Sequence, residues 1–343
     1  MISNKYKYGL IDLSYLMQRN LFAVSKGKGI GEYNAGEVIR ITIQTINKVI
    51  RDYDITCDKF ILVYDKWDKE LGGYYRTWLL KDFVSYKGSR VYMTEEEVEK
   101  MIASGEYTEE QIQKAKEEAY MNQVKYKAKW GMISDMKKIG IPCLGLEGYE
   151  YDDLAWLSSC LLSDPKNNPE GKKSVVITKD SDLLYSLSPK MDYFKLPTGG
   201  SEPKVVTYEE MYETIPKELV ANNVSLYEYK SYLDSLGKGH NDLGDSGKQG
   251  IDVVSTILKV LKGDYSDIDN VEFFKKQMES FDLTKFPKLD KAMEIVKEKY
   301  GTEGKLGTLE DFHEFCDKYE IKGISDTYYL NFIKKLDPKL FQS

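Results

Sequence analysis

An α/β fold built on a central, mostly parallel sheet flanked by helices follows from three observations. Apolar runs of strand length alternate with stretches of helical periodicity along the first half of the chain. Those runs are continuous, as strands buried on both faces require, and do not alternate apolar with polar. Three of them are followed by aspartate, at the strand ends where ligands gather in parallel sheets.

The elements follow in order. Tyr8-Gly9-Leu10-Ile11-Asp12 reads as the first strand, and Leu13 to Val24 as the helix after it. Gly36 to Tyr53 has helical spacing through Ile39, Ile43, Ile46 and Ile50. Phe60 to Asp65 is the second strand, Pro142 to Leu146 the third and Ser174 to Thr178 the fourth, with Asp180 just beyond it. A long insertion, about residues 72–130, separates the second and third strands. It opens aromatic and basic and continues as charged helices around Glu95–Ser104 and Thr108–Lys129, the place for a lid or arch. The helix Tyr126 to Ile139 leads into the third strand. Beyond Pro189 a turn-rich connector, Lys195 to Pro203, opens a region that reads as helical, interrupted by the cluster Gly237, Gly239, Gly244, Gly247 and Gly250. The division expected is a metal-dependent domain over residues 1–190 and a mainly helical region over 191–343.

Composition narrows the chemistry. No apolar run approaches the roughly 20 residues of a bilayer span, so no membrane role is expected. Four scattered cysteines without a CxxC exclude a disulfide frame or a zinc site, and with no h-region near Met1 the expected location is the cytoplasm. Two histidines, His240 and His313, leave little for imidazole chemistry. Any metal must be held by oxygen, which points to Mg²⁺ or Mn²⁺. A net charge of −7 argues against a protein that coats nucleic acid, though not against an enzyme with local lysines.

The acids are not scattered. Asp12 and Asp65 end two strands, Glu150, Asp152 and Asp153 follow the third, and Asp180 and Asp182 follow the fourth. Positions 150 and 153 share a helix face at i,i+3, and 180 and 182 share one side of an extended segment. Asp242 and Asp245 sit in the glycine cluster. Each has a plain reading, as a loop cap, a helix N-terminal charge or a turn. Together they repel one another and call for cations. Two divalent ions about 4 Å apart would neutralise them and clamp a phosphodiester.

In order and spacing these residues resemble the structure-specific 5′-nucleases, the flap endonucleases and 5′→3′ exonucleases, above all the branch with the T-even phage ribonuclease H. The likeness runs from Gly9-Leu10-Ile11-Asp12 through Val63-Tyr64-Asp65, Tyr86-Lys87-Gly88-Ser89-Arg90 and Glu150-Tyr151-Asp152-Asp153 to Thr178-Lys179-Asp180-Ser181-Asp182. It spans about residues 8–275, with Glu-Tyr-Asp-Asp where the family has Glu-Ala-Asp-Asp. It implies a PIN-like nuclease domain and two Mg²⁺ or Mn²⁺ ions among Asp12, Asp65, Glu150, Asp152, Asp153, Asp180 and Asp182. Lys87 and Arg90 would stabilise the scissile phosphate. With Asp12, Asp65 and Asp180 they form the expected catalytic set. Arg19, Arg76, Tyr86, Lys125, Lys127 and Lys129 would contact DNA.

The family's last motif, Gly-Asp-x-x-Asp-Asn before a helix–three-turn–helix, is altered here. Asp242 and Asp245 match its acid pair, with Gly247, Lys248 and Gly250 on the duplex backbone; Asp264 and Asp267, in Gly263-Asp264-Tyr265-Ser266-Asp267, are the rival match. The substrates implied are 5′-flap or nicked DNA and RNA–DNA hybrids during primer removal in phage DNA replication. The protein would act as a monomer, with a sliding clamp or single-strand-binding protein as further partners. The alternative is a catalytically weakened DNA-junction-binding protein of the same fold. A phosphatase with an aspartyl nucleophile is disfavoured, because Asp12-Leu13-Ser14 lacks the second acid of Asp-x-Asp.

Overall fold

The computed structural model describes residues 5–80, 93–138, 140–197, 202–237, 252–286, 289–301 and 306–341. Strands β1 (Lys5–Asp12), β2 (Thr56–Val63), β3 (Cys143–Leu144), β4 (Ser174–Thr178), β5 (Met191–Lys195) and β6 (Lys204–Val206) form a mixed sheet in the order β3-β2-β1-β4-β5-β6. Pairing is parallel between β1 and β2 and between β4 and β5, and antiparallel between β5 and β6. Helices flank the strands, and the later part of the chain is mostly helical. The sequence signals for β1, β2 and β4 hold. β5 and β6 are a correction, since the stretch after Pro189 reads as connector and helix.

The described residues fall into two compact units, each assembled from separate stretches of chain. The first draws on Met1–Val63, Arg90–Cys143 and Gly301–Ser343, and the second on Tyr64–Ser89 and Leu144–Tyr300.

In the first unit β1 and β2 run in register from Lys5↔Thr56 to Asp12↔Val63. Their core residues Leu10, Ile11, Ile61, Leu62 and Val63 are fully buried. Around them pack α1 (Leu13–Ser25) and α2 (Ala35–Asp52), the latter burying Val38, Ile39, Ile43 and Ile46 on one face. After β2 the chain passes into the second unit. Taken in chain order, α3 (Tyr75–Leu80) lies in the second unit, and α4 (Glu95–Ser104) and α5 (Glu109–Lys138) return to the first. α5 is a single helix of 30 residues where periodicity suggests two. The glycine that could have broken it, Gly131, is held by a close approach instead. A Cβ there would come within 2.5 Å of the Tyr319 ring. α4 and α5 close over a small core of Val98, Ala115 and Ala119.

In the second unit β4 is buried along its whole length. α6 (Tyr151–Ser163) buries Leu154, Ala155, Leu157, Leu161 and Leu162. Among the described residues no helix is long and apolar enough to cross a membrane.

Candidate metal centre

Two short segments of the second unit build the site. After β2 the chain passes through Asp65 and Lys66 into a tight loop. Asp68 and Gly73 close it with reciprocal backbone bonds of 3.0 and 3.1 Å, and the Asp68 carboxylate accepts from the N–H groups of Glu70 and Leu71. Both ends of this loop are stitched to the turn before α6. Lys66 donates to Tyr149 O at 3.2 Å and accepts from Gly148 N at 2.9 Å, while Tyr75 donates to Gly148 O at 2.9 Å. Gly148 has φ +83°, and a Cβ there would lie 2.8 Å from the Tyr75 ring, so only glycine fits. Beneath, Tyr75, Tyr149 and Phe286 pack ring against ring at 5.2–5.7 Å.

The loop thereby brings its polar groups to the N-terminus of α6, where the helix dipole favours negative charge. Asp65 Oδ1 accepts from Tyr151 N at 2.7 Å. Glu150 is the N-cap in extended backbone, and its own N–H donates to Asp153 Oδ2 at 3.0 Å. Glu150, Asp152 and Asp153 each offer an oxygen, and these atoms lie within 4.8 Å of one another. Glu150 and Asp153 are 4% and 1% exposed.

Arg76 answers part of this charge. It is buried, with Nη1 2.5 Å from Asp152 Oδ2 and Nη2 2.5 Å from Asp153 Oδ1. Its guanidinium also lies 5.3 Å from the centre of the Phe281 ring. Phe281 belongs to an apolar cluster with Leu80 and Phe273, against which Tyr227 packs. Burial raises the Asp153 carboxyl well above the ordinary aspartate value; Arg76 pulls it down, and Asp152 and Glu150 push it up. Burial also raises the Tyr227 phenol, helped by Asp153 and Asp152.

Three carboxylates converge at a partly buried point, and Arg76 pairs with two of them, Asp152 and Asp153. The donors are all oxygen, so the residues fit a hard divalent ion. Asp153 already uses both oxygens, on Arg76 and on Glu150 N–H. Glu150 and Asp152 each also offer an oxygen to the cluster.

The other expected site residues stand as follows. Asp12 is 5% exposed at the end of β1, in the first unit, and caps α1 by accepting from Tyr15 N at 2.9 Å. Arg19 is half-buried on α1. Asp180 is exposed beyond β4 and stands outside the carboxylate cluster; its N–H donates to Thr178 Oγ1 at 3.1 Å. The segment Ser181–Ser186 is a 3₁₀ turn, so the extended spacing expected for Asp180 and Asp182 does not apply. Arg76, expected on a DNA backbone, is turned inward onto two acids. Lys125, Lys127 and Lys129 all lie on α5, where residues four apart share a face and residues two apart do not. Lys125 and Lys129 thus form one pair and Lys127 points elsewhere. The rival acids are engaged locally. Asp264 accepts from Ser266 N at 2.9 Å, and Asp267 pairs with Lys259 at 2.9 Å. Tyr86, Lys87, Arg90, Asp242, Asp245, Gly247, Lys248 and Gly250 lie outside the described residues.

Comparison with known proteins adds a likeness of fold. No family model matches the chain, and no curated protein matches it. Among solved structures it resembles a bacteriophage T5 flap endonuclease in a pseudo-enzyme-product complex with DNA and metal ions, at 17% identity and TM-score 0.45, over 92% of this chain and 98% of that one. It also resembles the Rad2 catalytic core with DNA substrate, at 14% identity and TM-score 0.43, over 98% and 93% of the two chains. Human GEN1 with Holliday junction DNA gives 14% and 0.42, over 92% and 68%. All three hold DNA. With TM-scores under 0.5, none of these likenesses carries an argument about activity, which rests on the residues themselves.

Proposed function

We propose that this chain is a divalent-metal-dependent 5′-nuclease. It hydrolyses phosphodiesters near the 5′ ends of flap or nicked DNA, and of RNA–DNA hybrids during primer removal in phage DNA replication. The observation that carries the reading is the oxygen-only cluster Glu150, Asp152 and Asp153 on the N-terminus of α6, whose ligand oxygens lie within 4.8 Å of one another. The motif order set out above supports the 5′-nuclease class within that chemistry.

When bound, a divalent ion such as Mg²⁺ supplies the Lewis acidity that activates water and neutralises a phosphodiester. The chain's own groups do the rest. Glu150 and Asp152 hold the ion, Asp153 and Arg76 fix the turn that presents them, and the buried rings of Tyr75, Tyr149 and Phe286 support that turn. Asp12, Asp65, Asp180, Asp182, Asp242 and Asp245 keep the metal roles expected from the sequence, with a second ion among them. Lys87 and Arg90 keep the phosphate.

The test is cleavage of a 5′-labelled flap duplex in Mg²⁺, in EDTA, and by Asp152→Asn and Asp180→Asn. Short products near the junction in Mg²⁺, absent in the other arms, are expected. Undiminished turnover by Asp152→Asn would sink the proposal. Tight flap binding without products in any metal would instead mark a junction-binding protein.

A further inference from the structure

Two side chains tie the carboxylate cluster to helices far along the chain. Arg76, whose guanidinium pairs with Asp152 and Asp153, rests 5.3 Å from the ring of Phe281, the last residue of the helix Val271–Phe281. Tyr227, in the helix Leu226–Ser235, packs against the same cluster of Leu80, Phe273 and Phe281. Lys230, one turn on from Tyr227, lies 5.4 Å from the Phe281 ring, so residues 227 and 230 share the face turned to it. Tyr227 also meets Trp156, at 5.3 Å between ring centres. Trp156 stands on α6 one turn beyond both acids, four residues after Asp152 and three after Asp153. Tyr227 thus touches both the helix that bears the acids and the cluster that seats their guanidinium. Its hydroxyl is wholly buried, and the charged groups acting on it are Arg76, Asp153 and Asp152. A buried phenol oxygen calls for a donor, and the guanidinium is the donor-rich group beside it.

We propose that Tyr227 is a positioning residue for the metal centre, acting through Arg76. It holds the guanidinium in the orientation that fixes Asp152 and Asp153 beside Glu150. The inference rests on the reading of this cluster as the ion site of a nuclease, and adds to it a residue that lies outside every acidic motif of the chain. The physical ground is freedom. An arginine side chain is long and flexible, and its planar fork serves two carboxylates well only when its plane is set. A ring packed against the guanidinium and a phenol oxygen beside it remove that freedom. Groups that orient ligating carboxylates in this way matter to the ion nearly as much as the ligands, and losing one typically costs 10–100-fold in metal affinity or activity. Trp156 completes the arrangement, because it carries the position of Tyr227 directly to the helix turn that holds the acids.

The experiment measures Mn²⁺ binding to the full chain by the electron paramagnetic resonance of the free ion. Wild type, Tyr227→Phe, Arg76→Lys and the double variant are compared, each with its melting temperature in EDTA, and the site is identified as the one lost in Asp152→Asn. Tyr227→Phe keeps the ring against Trp156 and removes only the oxygen. It should weaken Mn²⁺ about tenfold, the lower edge of what losing such a partner costs, while its melting temperature in EDTA stays close to wild type. Because Tyr227 acts through Arg76, the loss should largely vanish when added to Arg76→Lys, whose point charge lacks the planar fork. In flap cleavage the half-maximal Mg²⁺ concentration should rise by the same factor, with the KM for the flap unchanged at saturating metal. Wild-type Mn²⁺ affinity in Tyr227→Phe would overturn the proposal and leave a ring that only packs. Losses that simply multiply in the double variant would overturn it as well. The expected Mn²⁺ pattern in a protein that cleaves no flap would remove the nuclease reading and keep the positioning role. A wild type that binds no Mn²⁺ would remove both.

Discussion

Two acid-bearing turns of the second unit have the same spacing and opposite electrostatics. Glu150 to Asp153 and Asp264 to Asp267 each set acids three residues apart, and both read from the sequence as candidate metal ligands. In the first turn Asp153 is 1% exposed, and Asp152 and Asp153 share the Arg76 guanidinium. In the second, Gly263 at φ +83° ends the helix Val253–Leu261, Asp264 takes a turn N–H, and Asp267 pairs with Lys259. The two carboxyls shift in opposite senses. Burial lifts Asp153, while the backbone N–H of Ser266 lowers Asp264. Spacing brings acids together in both; burial and a third converging carboxylate set the first turn apart as the candidate metal site.

The sharpest way to break this contrast is Arg76→Met. Removing one partner of a buried ion pair costs on the order of 3–5 kcal/mol, because the other charge stays behind. Urea denaturation in EDTA should show a loss of that order, and adding Asp153→Asn should recover part of it. A loss below about 1 kcal/mol would mean the pair is solvated and the cluster is no different from the Asp267–Lys259 pair. Next comes the ion itself. A ligand present at 100 times its Kd stabilises the folded state by about 2.7 kcal/mol. Titration with MnCl₂ should raise the melting temperature of wild type, and Asp152→Asn should abolish most of that rise while melting normally in EDTA.

Much of this was legible in the sequence, for identifiable reasons. β1, β2 and β4 are buried on both faces, and such strands are continuous apolar runs that need no alternation to be seen. β5 was hidden because its run holds Asp192, which pairs with Lys173 at 2.9 Å. β6 has three residues, too few for a pattern. α5 was divided because its charged first part, to Lys129, and the helix leading into β3, from Tyr126, read as separate segments that in fact run on as one. At the site the i,i+3 rule placed Glu150 and Asp153 on one face correctly, since both sit at a helix start. The partner that balances them could not be read. Arg76 meets Asp152 and Asp153 across 76 and 77 residues, and no local periodicity encodes such a contact. The segment 276–343 has no readable motif, yet the part after 306 supplies Phe312 and Tyr329, stacked at 3.7 Å, and the buried Lys59–Asp337 pair of the first unit.

Acidity separates the two turns by sign, with a smaller effect. The Asp153 carboxyl is raised on folding, so its contribution to stability is complete below the ordinary aspartate value near 3.8 and fades as pH rises through the raised one. Asp264 is lowered, so its contribution is present above that ordinary value and is lost as pH falls through the lowered one. Measured in EDTA, wild type should therefore lose ground to Asp153→Asn as pH climbs above about 4. It should lose ground to Asp264→Asn only as pH drops below about 4. Parallel pH profiles for the two variants would erase the distinction. The smallest effect belongs to Asp267→Asn. Its pair with Lys259 is solvent-accessible, at 29% and 42% side-chain exposure, and exposed ion pairs contribute about 0–1 kcal/mol. Urea denaturation should find a change in that range that shrinks with added salt, and MnCl₂ should stabilise the variant as it does wild type. A variant that loses the metal effect would put Asp264 and Asp267 back among the ligands, and the closed electrostatics of that turn would not describe its working state.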